Sequence, residues 1–154
     1  MDDPSVDEAR NAYFRANGFT IAEYSARWVR VKLGPIKLGF PNTASRKAAV
    51  ELHDLHHVAT GYSTSWTGEA EIAAWELAAG CGRYVAAWVL NLGALAIGLV
   101  IAPRRVVRAF ARGRRSRSLY HVHERGAGID RLLALRIGEL RRLLAIAHEP
   151  ARKR

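Results

Sequence analysis

Along this chain the spacing of apolar positions switches from alternation to a helical period near residue 42. Residues 5–17, SVDEARNAYFRAN, carry the end signals of a short helix: Ser5 to cap it, Asp7 and Glu8 in the first turn, and Gly18 to stop it. In 28–42, WVRVKLGPIKLGFPN, Arg30 and Lys32 alternate with Val29, Val31 and Leu33, and after Gly34-Pro35 the residues Ile36 and Leu38 flank Lys37. That is a strand–turn–strand pattern, and Pro41-Asn42 ends it. Beyond it, Asn42 or Thr43 can cap a helix over TASRKAAVELHDLHHVAT, closed by Gly61. A second helix is expected over GEAEIAAWELAAG, residues 68–80, where Ile72, Trp75 and Ala79 recur at helical spacing, and Gly80-Cys81-Gly82 breaks it. After a looser stretch, LYHVHERGAG, a last helix capped by Asp130 is expected over IDRLLALRIGELRRLLAI. The reading is a mainly α fold over 1–154: one compact helical domain with a small N-terminal β-hairpin and one long apolar helix.

The long apolar helix comes from residues 84–103, YVAAWVLNLGALAIGLVIAP, 20 residues without a charge and with Asn91 as the polar interruption. As a helix such a run would be about 30 Å long, the thickness of bilayer hydrocarbon. Seven Arg follow within residues 104–117, with no acid among them. The formal net charge of +10 is correspondingly uneven: residues 1–82 hold 8 Lys+Arg against 10 Asp+Glu, and residues 83–154 hold 16 against 4. Arg clusters beside an apolar segment mark the cytoplasmic boundary of a membrane, so membrane contact is expected there, peripheral or as a single span. The competing reading is a central buried helix whose Ala and Gly permit close packing. Nucleic acid is not expected, because only Phe110 is interleaved with the Arg block. The lone Cys81 excludes an internal disulfide and a Cys-rich zinc module. The acidic start, MDDPSVDEAR, has no apolar core of a signal peptide, so a secreted protein is not expected.

Chemistry concentrates in residues 53–69, HDLHHVATGYSTSWTGE, which hold three of the six histidines. On a helix His53 and His57 are one turn apart on one face, the spacing by which a helix offers two imidazoles to one ion. Asp54 borders that face, and the segment GYSTSWTG can turn the chain back so that Glu69 reaches the same ion. Two nitrogens and two carboxylate oxygens suit Zn²⁺ and would also accept Fe²⁺ or Mn²⁺. His56 is less well placed and is expected behind the ligands or facing a substrate.

His53-Asp54-x-x-His57, eleven residues and then Glu69 resembles the signature of the coenzyme Q biosynthesis protein 4 family. Thr60-Gly61 after the second His, Gly68-Glu69-Ala70 at the next helix, and IGELRRLLAI at 137–146 agree with that family's pattern. The resemblance is specific across about 45–80, weaker across 104–146 and absent before 40. It implies a mostly helical protein with a divalent ion, generally taken as zinc, held by His53, Asp54, His57 and Glu69. It also implies a role in ubiquinone assembly at a membrane, on what the Arg block makes the expected cytoplasmic side. There the ring carboxyl of a polyprenylated 4-hydroxybenzoate precursor is replaced by hydroxyl and partner enzymes are organised, with the four residues as catalytic centre and the chain as a homo-oligomer. The shortness of the chain, its longer uncharged run and its N-terminal hairpin depart from the family and point to a divergent branch with another lipid-like substrate.

Two other classes compete. A metal-dependent hydrolase would use Glu69 or Asp54 as a general base on bound water, which calls for a polar pocket. A non-catalytic lipid-binding or scaffold protein would use the ion only to fix two helices together. A closed four-ligand site favours the scaffold, and an open coordination position favours catalysis.

Overall fold

The computed structural model describes residues 3–20, 28–33, 36–41 and 43–146, the two strands by their backbone alone. The fold is mainly helical. Helix α1 (Val6–Asn17) starts at a capping box in which Ser5 and Glu8 exchange hydrogen bonds, and it ends where Gly18 takes the left-handed conformation. Strand β1 (Trp28–Leu33) pairs antiparallel with β2 (Ile36–Pro41), Trp28 opposite Pro41 and Leu33 opposite Ile36. Helix α2 (Ala44–Thr60) is capped by Thr43, whose hydroxyl accepts from the Arg46 amide, and is closed by a left-handed Gly61.

Helix α3 (Trp66–Ala79) is the centre of the molecule, buried from Ala70 to Glu76. It begins before the expected residue 68, at a Ser65 cap, and Gly68 lies in the first turn packed on Ser63. Helices α4 (Val85–Ile101) and α5 (Pro103–Gly113) both pack on α3. Small residues make this approach possible: a methyl group on Gly98 would strike Ala70, and one on Gly113 would strike the Trp75 backbone. At the rim Arg105 forks onto Glu71, with nitrogen–oxygen distances of 3.0 and 2.8 Å.

The expected apolar helix over 84–103 is shorter than its uncharged run. Seventeen residues are helical, and no helix among the described residues is long and apolar enough to cross a membrane. Pro103 explains the stop: it lacks an N–H and disfavours helical backbone at the residue before it. Ala102 accordingly leaves the helical region (φ −149°, ψ 53°), and Pro103 opens α5 as its first residue.

The last helix expected over 129–146 is also divided. After α6 (Leu119–Glu124) come α7 (Ile129–Leu133) and α8 (Ile137–Leu143), and the start of α7 is capped by Gly128 rather than by Asp130. Residues 134–136 are drawn out of helix by the N-terminal segment. The Val6 amide donates to the Leu135 carbonyl (2.8 Å), the Ile137 amide donates to the Pro4 carbonyl (3.0 Å), and the Asp3 carboxylate caps α8 through the Gly138 amide. A pairing across more than a hundred residues outweighs local helical periodicity here. The core under these elements is built from Val6, Leu52, Leu55, Trp75, Tyr120, Leu132 and Leu140.

Candidate metal centre

Helix α2 carries His53 and His57 on one face with their rings edge to face, the Nε2 atoms 3.2 Å apart. At Gly61 the chain turns back, and Ser65 starts α3 by accepting from the Gly68 amide. The absence of a side chain at Gly68 lets the 61–65 connection close onto that first turn, since a methyl group there would collide with Ser63. The next residue, Glu69, is thereby delivered to the histidines. Its two oxygens lie 3.5 Å from His53 Nε2 and 3.4 Å from His57 Nε2.

Hydrogen bonds fix which ring nitrogens face inward. His57 Nδ1 is 2.9 Å from the Tyr62 carbonyl, which can only accept, so Nδ1 carries the proton and Nε2 the lone pair. His53 Nδ1 is 2.9 Å from a Glu76 carboxylate oxygen, with the same consequence. Two nitrogen lone pairs and a carboxylate therefore converge, all within 4.8 Å of one another. Three acceptors with no donor among them repel unless a positive charge sits between them. Ligands about 2.0–2.1 Å from a tetrahedral ion are about 3.3 Å from each other; the two Nε2 atoms are 3.2 Å apart, and Glu69 presents a different oxygen to each of them, at 3.5 and 3.4 Å. Three ligand side chains are thus gathered, and among the described residues none supplies a fourth. A divalent cation fits this set.

Asp54, the expected fourth ligand, is not in the cluster. It is buried and hydrogen-bonded to the Tyr13 hydroxyl from α1, while the Tyr13 ring stacks on His57 at 5.6 Å between centroids. The reason is angular: a residue one position from His53 is rotated by about 100° around the helix, which aims its carboxylate at α1 rather than at α3. Asp54 holds the tyrosine that braces His57. Burial, followed by the charges of Asp54 and Glu69, raises the Tyr13 pKa and keeps the phenol protonated.

Glu76, which sequence reasoning passed over, organises the rear of the site. It is fully buried on α3, two turns after Glu69. One of its oxygens faces His53 Nδ1 at 2.9 Å and His56 Nδ1 at 2.6 Å, and the other accepts from Asn91 at 2.6 Å and Tyr120 at 3.0 Å. Burial acts to raise the Glu76 pKa, but the charge and hydrogen bond of His53, with those of His56, outweigh it and hold the value well below the usual range. His56 accepts from the Leu119 amide at its Nε2, so it is neutral, donates to Glu76 and ties α6 to the site. It stands behind a ligand, one of the two places expected for it. A signal for Glu76 was present: an acid inside the apolar stretch IAAWELAA, on the face of Glu69. Asn91, the lone polar residue of the uncharged run, is there to serve Glu76.

His53 and Glu69 also line a cavity of about 260 Å³ between α2 and α4, walled by Ala49, Val50, Ala87, Leu90 and Ala94, with Arg46 at its edge. The Cys81 thiol, pushed up to about 12 by burial, is no nucleophile there. No protein-family model and no curated protein sequence matches this chain.

Charge at the centre makes ion binding pH-dependent. Burial lowers the His53 pKa, but the Glu76 and Glu69 carboxylates outweigh it and lift the value well above 6.5. Without an ion, a proton on His53 takes its place. Binding must displace that proton, so affinity is expected to rise about tenfold per pH unit until His53 is deprotonated and then to level. Competition titrations with a chromophoric chelator across neutral pH measure this slope. A flat profile would remove His53 from the ligand set.

Proposed function

We propose that the chain is a metal-dependent enzyme of ubiquinone assembly, acting on the ring carboxyl of a polyprenylated 4-hydroxybenzoate-type precursor. The observation that carries this reading is the convergence of His53, His57 and Glu69, with no fourth protein ligand among the described residues, at the wall of a mainly apolar cavity. An open position favours catalysis over a structural ion, and apolar walls favour an aromatic lipid over the polar substrate of a hydrolase. The resemblance of residues 53–69 to the coenzyme Q biosynthesis protein 4 family supports the same reading. The donor set accepts Zn²⁺, Fe²⁺ or Mn²⁺.

Size agrees with one substituted ring. A cavity of about 150 Å³ holds benzene, and about 260 Å³ adds room for ring substituents and the first isoprene unit. Ala49, Val50, Ala87 and Leu90 offer the ring apolar contact, and Arg46, two turns before His53 on α2, is placed to orient its carboxylate. When bound, the ion would polarise the carboxylate or phenol and stabilise the charge that develops as the ring–carboxyl bond breaks. Glu76 keeps the His53 proton on Nδ1, away from the reacting side. Loss of CO₂ leaves an electron pair on the ring carbon. Hydroxylation at that carbon requires a two-electron oxidant; with dioxygen in that role, the ring carbon would gain a hydroxyl from water and dioxygen would leave as hydrogen peroxide.

Profiling of quinones in a strain whose only copy carries His53→Ala and Glu69→Ala tests the proposal. The expected result is loss of quinone, accumulation of a carboxylated prenylated precursor and an unchanged level of the protein. Normal quinone with the crippled site would reject the catalytic reading and leave the scaffold.

A further inference from the structure

Helix α4 is apolar all round yet buried on one side only. Ala87, Asn91 and Gly98 face α3, while Val85, Val89, Leu92 and Val100 are 71%, 64%, 54% and 83% exposed. A helix of this kind in water calls for a cover, and among the described residues none lies over it. The surface continues onto α5, where Val107 and Phe110 are exposed beside the inner residues Val106, Ala109 and Gly113.

The charge around this face selects its occupant. Two basic groups of α5 are committed to the fold: Arg105 to Glu71, and Arg112 to the Thr60 carbonyl and the Tyr62 ring. Arg104 and Arg108 are exposed on the outer side, followed by exposed Arg114, Arg115 and Arg117, and there is no acid from 77 to 123. A second copy of the chain, docked about a two-fold axis, would set these guanidinium groups against one another. A bilayer with anionic headgroups satisfies both halves of the surface, taking the apolar face into its acyl boundary and the guanidinium groups at its phosphates. Seventeen residues at the helical rise make about 25 Å, the length of a helix lying in the interface plane.

We propose that the outer face of α4, with Arg104 and Arg108 of α5, docks the protein on anionic bilayers. Docking also has a consequence that rests on the proposed lipid substrate. Leu90 and Ala94 of α4 line the cavity beside His53 and Glu69, and Leu90 is 60% exposed. A prenylated ring dissolved in the bilayer would then reach the site along α4 without crossing water.

Flotation of the purified full chain with phosphatidylcholine vesicles, with and without phosphatidylglycerol, tests the surface. Binding is expected to the anionic vesicles at low salt, and to weaken as salt rises. Arg104→Glu with Arg108→Glu is expected to cut it by about thirtyfold or more, at ~1 kcal/mol per basic side chain. Val100→Glu, at a position outside the core, is expected to reduce binding to the anionic vesicles while the helical circular dichroism stays unchanged. His53→Ala is expected to float like the parent chain, which separates this inference from the proposed reaction. Failure of the parent chain to float with anionic vesicles, or equal flotation of both variants, would overturn it. So would a solution dimer that Val100→Glu splits in a chain that ignores vesicles, since a second copy would then be the cover.

Discussion

Glu76→Ala is expected to destabilise the protein by about 3–5 kcal/mol, the range for removing one partner of a buried charged network. The loss is large because the carboxylate is the common acceptor for His53, His56, Asn91 and Tyr120, from three helices besides its own. Without it, His53 and three buried donors, His56, Asn91 and Tyr120, face a void, each buried one costing about 1–3 kcal/mol before relaxation or water entry. Glu76→Gln keeps the shape but replaces one accepting oxygen by a donating NH₂, so one pair of donors meets a donor. It should be milder in urea unfolding and still lower metal affinity by about 10–100-fold, the usual effect of changing the group that orients a ligating histidine. A Glu76→Ala chain within ~0.5 kcal/mol of the parent would show that the network is not formed.

Loss of a ligand should act the other way round, with little effect on the fold and a large effect on the ion. Glu69 is partly exposed at the start of α3, and truncating it removes the one anionic ligand of the cluster. Glu69→Ala and His57→Ala are each expected to weaken divalent-ion binding beyond the ~10–100-fold of a supporting residue. Asp54→Asn separates the observed geometry from the four-ligand set that the motif implies. Bonded to Tyr13 and outside the cluster, Asp54 should behave as a supporting residue: affinity falls modestly, and the stoichiometry of bound ion does not change. Equilibrium titration of the three variants against the parent chain measures the order. An Asp54→Asn chain as crippled as Glu69→Ala would restore Asp54 to the ligand shell.

The parts of the fold legible in the sequence were those set by local chemistry. Ser5 with Glu8, Gly18, Thr43 and Gly61 stand at the helix ends they announced, because caps act within a turn of the chain. The same holds for the i, i+4 histidines and for the return of Glu69 to them. What escaped was decided at a distance. The break at 134–136 comes from pairing with residues 3–6, and nothing in the local pattern of IDRLLALRIGEL records it. The destination of Asp54 depends on α1 crossing beside α2, and spacing alone cannot separate a ligand from its neighbour when both sit at the edge of one face. Glu76 lay between these cases. Its phase with Glu69 was readable, whereas its four donors, drawn from residues 53 to 120, required the fold. The uncharged run was ambiguous for a physical reason: an apolar helix packed on α3 and one facing lipid have the same composition, and α4 has one side packed on α3 and one side exposed.

The central claim is that His53 Nε2, His57 Nε2 and Glu69 hold one divalent ion and leave a coordination position open. X-ray absorption on the full chain loaded with zinc, together with the zinc content per chain, tests it most directly. The expected result is about one ion per chain with imidazole scattering from two histidines, a carboxylate oxygen and a further light-atom ligand that a small anion can replace, all of it lost in a His53→Ala, His57→Ala double variant. A chain that retains no ion after loading, or a double variant that retains the same ion and the same spectrum, would contradict the account.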